Sequence, residues 1–491
     1  MRKLLFLIFG VVVLAACIED EEFVGTTEPC LVFSSDSVNF DTLIAGQRSV
    51  TSSFWVFNPT DKNLRILSVQ CLSSVEGVFR ANVDGTYLDG GLATDFELRA
   101  KDSLCVFVDA YPPKKDVDIP VSYEGNLFFN IEGGASQKVH LSVSGQDVIV
   151  LKGVVVNSDT LLSGKRPYHV KDSLVVAEGA VLTIEPGVQF YLSSESSIHV
   201  YGTLCAEGTL HEPIVFRGDR FDDMFKNQPY DRISGQWGGI RFYEKSYENV
   251  LNYVDIHSGI YGIQCDSSDV ARSKLKLENS IVHNTVGDVF RLVACTTVIG
   301  NTQLTNAGGN CVTVRGGDHQ FIHTTIGQFY PFSAERGNAL NFANFDGENR
   351  YPLERLSFIN SIITGYAYDE IMGTSSERYK DDAFNYSFTN CLLNTPEYDS
   401  EFIINCVWDS QESVVYGADN FSPAFDNDKL IYTFGLSSES LAIGAGDVSV
   451  SMSSYPQDRN GVARNGESDL GCYEFVEKLE DLDKEDNADN I

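Results

Sequence analysis

Residues 179–192, GAVLTIEPGVQFYL, with 197–220, SIHVYGTLCAEGTLHEPIVFRGDR, and 234–243, SGQWGGIRFY, decide the fold. Apolar and polar residues alternate in short runs closed by Gly-bearing corners, with neither a helical period nor an Asn-Gly hairpin signal between runs. Short strands wound in parallel as a coil account for this pattern. Downstream a unit recurs as LKLENSIVHN (275–284), TTVIGNTQLTN (296–306), LSFINSIITG (356–365) and YSFTNCLLNT (386–395). Asn279 and Asn301 are 22 residues apart, as are Asn301 and His323, while Asn360 and Asn390 are 30 apart. One such unit cannot bury its own apolar face and must stack on neighbours, which predicts a solenoid.

The phrases LTIEPGVQF, IHVYGTLCAEGT, PIVFRGDR and WGGIRF resemble the right-handed parallel β-helix of the pectin-lyase-like superfamily, as found in large Bacteroidetes surface lipoproteins. The resemblance covers residues 149–435. It implies about 12 turns and a rod about 55–60 Å long, filled by Val, Ile, Leu and Phe. Asn279, Asn301, Asn360 and Asn390 are expected at corners, as stacked amides bonding the backbone of adjacent turns. Trp237, between Gly235 and Gly238, is expected to pack over a corner rather than to offer a sugar-stacking face. Residues 436–476 resemble the terminal segment of such proteins in Asp469, Gly471, Tyr473 and Glu474, with Cys472 where a small residue is usual. A cap at the end of the solenoid follows, because a bare last turn invites aggregation. Residues 477–491 form an acidic tail of disordered composition.

Upstream, residues 28–148 alternate differently: Val38-x-Phe40, Phe54-Trp55-Val56-Phe57, Leu64-x-Ile66, Leu104-x-Val106-x-Val108, Leu127-x-Phe129-x-Ile131 and Val139-x-Leu141-x-Val143. Breaks rich in Gly, Asp and Pro separate these runs, which predicts a β-sandwich of six or seven strands. SVNFDTLIAGQ, FWVFNPTDKNLRILSV, GVFRANVDG, FELRAKDSLCVFVDAYPP and VHLSVSGQD resemble immunoglobulin-like domains of the ASPM/SPD-2/Hydin type, which implies a spacer or adhesion module. The chain is thus read as all-β, an immunoglobulin-like sandwich followed by a right-handed parallel β-helix with a C-terminal cap.

Arg2-Lys3 and the apolar run Leu4–Leu14 form a signal peptide, too short to span a bilayer. Leu14-Ala15-Ala16-Cys17 resembles the bacterial lipobox, which implies removal of residues 1–16 and acylation of Cys17, whose thiolate is a good nucleophile. Residues 17–27 then form a linker, in which Glu19, Asp20, Glu21 and Glu22 resemble the surface-export signal of Bacteroidetes lipoproteins. The expected partner is outer-membrane lipid through those acyl chains, with the protein facing the exterior. A formal charge of −33, from 36 Lys+Arg and 69 Asp+Glu, excludes nucleic acid and polyanionic glycans as direct partners. Ten cysteines besides Cys17 are too dilute for a disulfide scaffold, contain no C-x-x-C pair and read mainly as buried apolar residues. One disulfide, Cys71 with Cys105, is left open.

No template for nucleophilic or metal hydrolysis is present: LHEP (210–213) lacks a second His, and there is neither a G-x-S-x-G elbow nor a P-loop. The carboxylate clusters of polygalacturonases are absent too. YVDIH (253–257) faintly resembles the Trp-Ile-Asp-His of pectate lyases and departs from it at two positions, so a rung of an inert coil is the plainer reading.

Three polar stretches break the rung pattern, at 219–234, 333–352 and 366–386. The last offers Tyr366, Tyr368 and Tyr379 for stacking on sugars, and Asp369, Glu370, Arg378, Asp381 and Asp382 for hydroxyl hydrogen bonds. Its carboxylates would also suit Ca²⁺, with no other cofactor expected. The expected function is non-catalytic binding of a glycan, or of another surface protein, by these side loops. The alternatives are a divergent polysaccharide lyase or glycoside hydrolase, and a purely structural spacer. An enzyme requires convergence among Asp222, Asp223, Asp255, His257, Asp381 and Asp382.

Overall fold

A computed structural model describes residues 22–225, 227–409, 417–464 and 466–477. The signal peptide, Cys17, Glu19, Asp20, Glu21 and the tail from 478 onward lie outside the described residues; Glu22 is exposed. The chain divides into one unit through Asp147 and another from Val148. Among the described residues no helix is long and apolar enough to cross a membrane.

The first unit is a sandwich of two sheets. One is built on Asn63–Ser73, Val121–Ile131, Ser136–Gln146 and Ser37–Ile44; the other on Ser52–Phe57, Ser103–Ala110 and Phe79–Val83. Alternation does what the sequence requires. In Val121–Ile131 every second side chain from Tyr123 to Ile131 is buried, and Phe129 meets Phe33 and Phe54 of the facing sheet at 5.3 and 6.5 Å between ring centroids. Each fully buried residue of this kind contributes about 1.5–3 kcal/mol. Cys71 and Cys105 sit on different sheets and are free thiols, as are the other eight described cysteines, so the disulfide left open by the sequence is not formed.

The second unit is a parallel β-helix whose strands stack in three columns. The first runs through Gln189–Leu192, Ile214–Gly218, Val254–His257, Ile281–Thr285, Gln303–Ala307, Thr325–Gln328, Ile362–Gly365 and Leu392–Leu393. Another column, from Thr160–Leu162 to Ile403–Ile404, has ten strands, so the coil has about ten turns rather than 12. At about 4.8 Å between strands it is about 45 Å long. The turns are fewer because the polar excursions lengthen individual turns and because the last paired strand ends at Trp408.

In-register pairing lines like residues up. Phe216, Ile256, Val282, Leu304, Ile326, Ile363 and Leu393 all point inward and are shielded from solvent. Phe190 stacks on Phe216 at 4.7 Å and Phe321 on Phe358 at 4.5 Å. Trp237 is wholly buried in this core and donates its indole N–H to the His257 carbonyl at 2.8 Å, so it offers no face to a sugar.

The corner asparagines have a backbone reason for being asparagine. Asn279, Asn301, Asn360 and Asn390 have φ of 49, 53, 50 and 50°, the left-handed region that Asn tolerates better than most residues. Their amides bond to side chains at the same corner of the preceding turn, Asn252, Asn279 and His323, and to the C-terminal segment, rather than to the backbone of adjacent turns. Asn301 donates to Asn279 at 2.9 Å and to the Gln457 carbonyl at 3.0 Å.

Residues 417–477 cover the outer face of the last rungs and then run back along the first column. Phe421, Phe434 and Leu436 pack with Phe329, Ile362 and Leu392. Farther back, Cys472 N–H donates to Thr325, Tyr473 Oη to Gln303 and Tyr455 Oη to Glu278. Gly300 makes room for Tyr455: a Cβ there would lie 1.8 Å from its hydroxyl. Arg464, wholly buried, pairs with Glu474 and donates to Asn301 Oδ1 and the Gly471 carbonyl, each at 3.0 Å.

Candidate functional site

The outward side chains of the first column make a ladder, with His257 paired to His283 and His283 to Thr305 on successive rungs. Asp255 lies two residues before His257 on the same strand and so shares its face. The insertion between Gly218 and Ile240 folds over this ladder, its 3₁₀ turn Tyr230–Arg232 placing Asp231 against His257.

Both nitrogens of His257 face carboxylates: Nδ1 is 2.8 Å from Asp255 Oδ1 and Nε2 is 2.9 Å from Asp231 Oδ1. Carboxylates only accept, so the ring is a doubly protonated imidazolium. Burial disfavours that charge, but Asp255 and then Asp231 outweigh it and raise the pKa of His257 to about 10. Burial likewise opposes the charge on Asp255, yet His257 and His283 hold its pKa well below the usual range. Asp231 is lowered against its burial by His257 and Arg217, whose Nε is 2.9 Å away. His283 Nε2 is 3.5 Å from Asp255 Oδ1, and the two imidazole rings are 5.0 Å apart. One ligand atom each from Asp255, His257 and His283 lies within 4.8 Å of the others, a grouping that could hold a metal ion.

Linkage gives the first expected result. The folded pKa of His257 lies above its ordinary 6.5, so its stabilisation is complete below 6.5 and is lost as pH rises toward about 10. In metal-free buffer the melting temperature should fall over that interval more steeply for the wild type than for His257→Gln. Parallel curves would refute the imidazolium.

Beside the ladder is a cavity of about 390 Å³ lined by Arg232, His283, Asn284, Gln303, Thr305, Asn306, Tyr432 and Tyr473. The insertion and the C-terminal segment meet beside it, Gln228 donating to the Asp428 carbonyl at 2.9 Å and Arg232 to that of Lys429 at 2.8 Å. Leu430 also borders a second cavity, of about 680 Å³, with Met224, Phe225, Tyr330, Phe332, Arg336 and Tyr366.

The residues expected to bind in 366–386 do not form one surface, because the strand Ile371–Thr374 divides them. Before it, Tyr366 lines the second cavity, edge-on to Phe329 at 4.8 Å with the Arg336 guanidinium 5.1 Å over its ring. Tyr368 is 54% exposed. Asp369 accepts from Thr395 at 2.7 Å and from the Ile371 N–H at 3.1 Å. Glu370 is not a surface ligand: it is 0% exposed and accepts the Ala339 and Ala367 N–H groups at 2.8 and 2.7 Å, burial raising its pKa to about 7. Beyond the strand, Arg378 pairs with Glu348, Tyr379 donates to the Glu348 carbonyl, and Arg350 grips Asp382. Asp381 is exposed.

Of the six residues whose convergence was in question, Asp255 and His257 come together. Asp222 pairs with Arg220 inside the insertion, Asp223 stands exposed on a two-stranded ribbon, and Asp381 and Asp382 lie elsewhere. Arg217, Asp231 and His283 were not singled out by the sequence. Continuing the rung register back one turn from SIVHN would have put His283 over His257.

No protein-family model and no curated protein matches the chain. Among solved structures, the catalytic unit of a GH87 α-1,3-glucanase from Streptomyces thermodiastaticus aligns over 74% of this chain and 75% of its own, at 11% identity and a TM-score of 0.25. The ASH/PapD-like domain of human CEP192 aligns over 27% of this chain and 98% of its own, at 13% identity and a TM-score of 0.18. A family 123 glycoside hydrolase from Clostridium perfringens aligns over 26% and 30%, at 7% identity and a TM-score of 0.19. The strand pairings, not these likenesses, define the fold.

Proposed function

We propose that the protein is a lipid-anchored surface protein of the bacterial outer membrane whose β-helix binds a neutral glycan along the first column. The observation that carries this reading is the pair of adjoining cavities. Phe225, Phe332 and Tyr366 supply apolar ring faces on one side of Leu430. Arg232, Gln303, Thr305 and Asn306 supply donors and acceptors for hydroxyls on the other. Aromatic faces beside a few convergent polar groups suit a sugar chain, and the acidic surface turns away polyanionic ones. The sandwich, whose sequence resembles immunoglobulin-like spacers, comes between the anchor and the coil in the chain and serves as a spacer.

A glycan array probed with the soluble protein identifies the ligand. Phe225→Ala combined with Phe332→Ala should then weaken binding at least about tenfold while changing stability by about 1 kcal/mol or less, since both rings are largely exposed. Tyr368→Ala combined with Tyr379→Ala should leave binding intact. The reverse result would move the site to the surface that carries Tyr368 and Tyr379. For the anchor, Cys17→Ala should release the protein from membranes, because the acyl chains depend on that sulfur. A variant that still fractionates with the outer membrane would refute the lipoprotein reading.

A further inference from the structure

We propose that Asp255, His257 and His283 form a three-ligand site for a divalent transition-metal ion, with zinc the best chemical match. The atoms that face one another are Asp255 Oδ1, His257 Nδ1 and His283 Nε2. Two imidazoles and one carboxylate are a borderline donor set that suits zinc and its neighbours better than Ca²⁺ or Mg²⁺, which prefer oxygen throughout. Zinc bonds of about 2.0–2.2 Å put tetrahedral ligand atoms about 3.3 Å apart. Asp255 Oδ1 is already 2.8 Å from the His257 nitrogen and 3.5 Å from that of His283, and all three atoms lie within 4.8 Å of one another, so modest side-chain rotations of the carboxylate and the two rings close the set on one ion.

The groups behind the ligands point the same way. A metal-bound imidazole characteristically donates its other N–H to a carboxylate, which fixes its tautomer and orientation. His257 Nε2 does so to Asp231 at 2.9 Å, and Asp231 is held in turn by Arg217. An ion pair formed only to stabilise the coil would need no second histidine, yet His283 stands one rung above, its side chain a quarter exposed.

Binding exchanges one proton for the metal. The proton shared between His257 Nδ1 and Asp255 leaves to solvent, while the other ring proton stays on His257 Nε2, donated to Asp231. Three protein ligands leave a fourth position for water or a ligand hydroxyl, the pattern of sites that act on or grip a bound molecule rather than brace a fold. His283 is both a ligand and part of the lining of the 390 Å³ cavity. The site stands on its own residues, whether or not the cleft takes a glycan.

The test is metal analysis of untagged, chelator-stripped protein after dialysis against zinc, with the cobalt(II) visible spectrum as a second probe and no glycan present. One zinc per chain is expected, with binding lost in His283→Ala and Asp255→Asn. Asp231→Asn should weaken it about 10–100-fold, and exposed His211→Ala should leave it unchanged. His283→Gln, a poor ligand of similar size, replaces the alanine variant if circular dichroism shows the latter misfolded. Failure of the wild type to retain zinc, or equal retention by every variant, would overturn the proposal.

Discussion

Replacing Arg464 with methionine should destabilise the second unit by about 3–5 kcal/mol, the usual result of removing one partner of a buried ion pair. Arg464 is wholly buried, and its guanidinium serves Glu474, Asn301, Gly471 and the Asp469 carbonyl at once. Methionine fills much of the volume and answers none of those acceptors. Burial already raises the pKa of Glu474 to about 7, with Arg464 holding it down against that. In the variant it must rise further, above its ordinary 4.5. A group with a raised folded pKa stabilises below its unfolded value and loses that stabilisation as pH rises through the folded one. The deficit should therefore be smaller in urea titrations at about pH 5 than at about pH 8, and adding Glu474→Gln should recover part of it. A deficit under about 1 kcal/mol, or one that grows on acidification, would show that the pair does not hold the C-terminal segment.

Trp237→Ala should cost about 3–5 kcal/mol, as truncation of a fully buried aromatic does. It should also disturb the histidine ladder, because the indole N–H is donated to the carbonyl of His257 itself. Trp237→Phe separates the two effects. It keeps much of the ring volume and leaves that carbonyl short of a donor, at about 1–3 kcal/mol. The histidine resonances of the phenylalanine variant should shift with the fold intact. Unchanged His257 resonances would mean that the indole anchors only the core.

The coil was legible because its periodicity is local. Each strand alternates by itself, and Asn279, Asn301, Asn360 and Asn390 mark the same corner of the coil, with His323 taking that place on the turn between Asn301 and Asn360. The turn count was less legible, because an excursion such as 219–234 adds length without adding a rung. The path of the C-terminal segment left a trace in the sequence. Ile362-Ile363 and Leu392-Leu393 put apolar residues on both faces of their strands, which is how a strand covered on both sides reads. The site was half legible: Asp255 and His257 sit in one short string, whereas Asp231 arrives from an insertion 26 residues from His257. Tyr366 and Asp382 looked like one surface only because they are close in sequence; the strand Ile371–Thr374 was hidden by its Gly and Thr.

The course of residues 417–477 has a consequence for how the second unit comes apart. A bare coil behaves as a one-dimensional array in which each turn answers only to its neighbours, so it can fray from an end, turn by turn. Here a single segment is bonded to Asn390 near one end, to Asn360, Thr325 and Gln303 along the way, and to Glu278 farther back. Turns distant from one another along the axis thereby share a common tie, and losing any of them strains the rest. The coil acquires the all-or-none melting of a compact globule, and a chain cut before residue 417 would melt in stages.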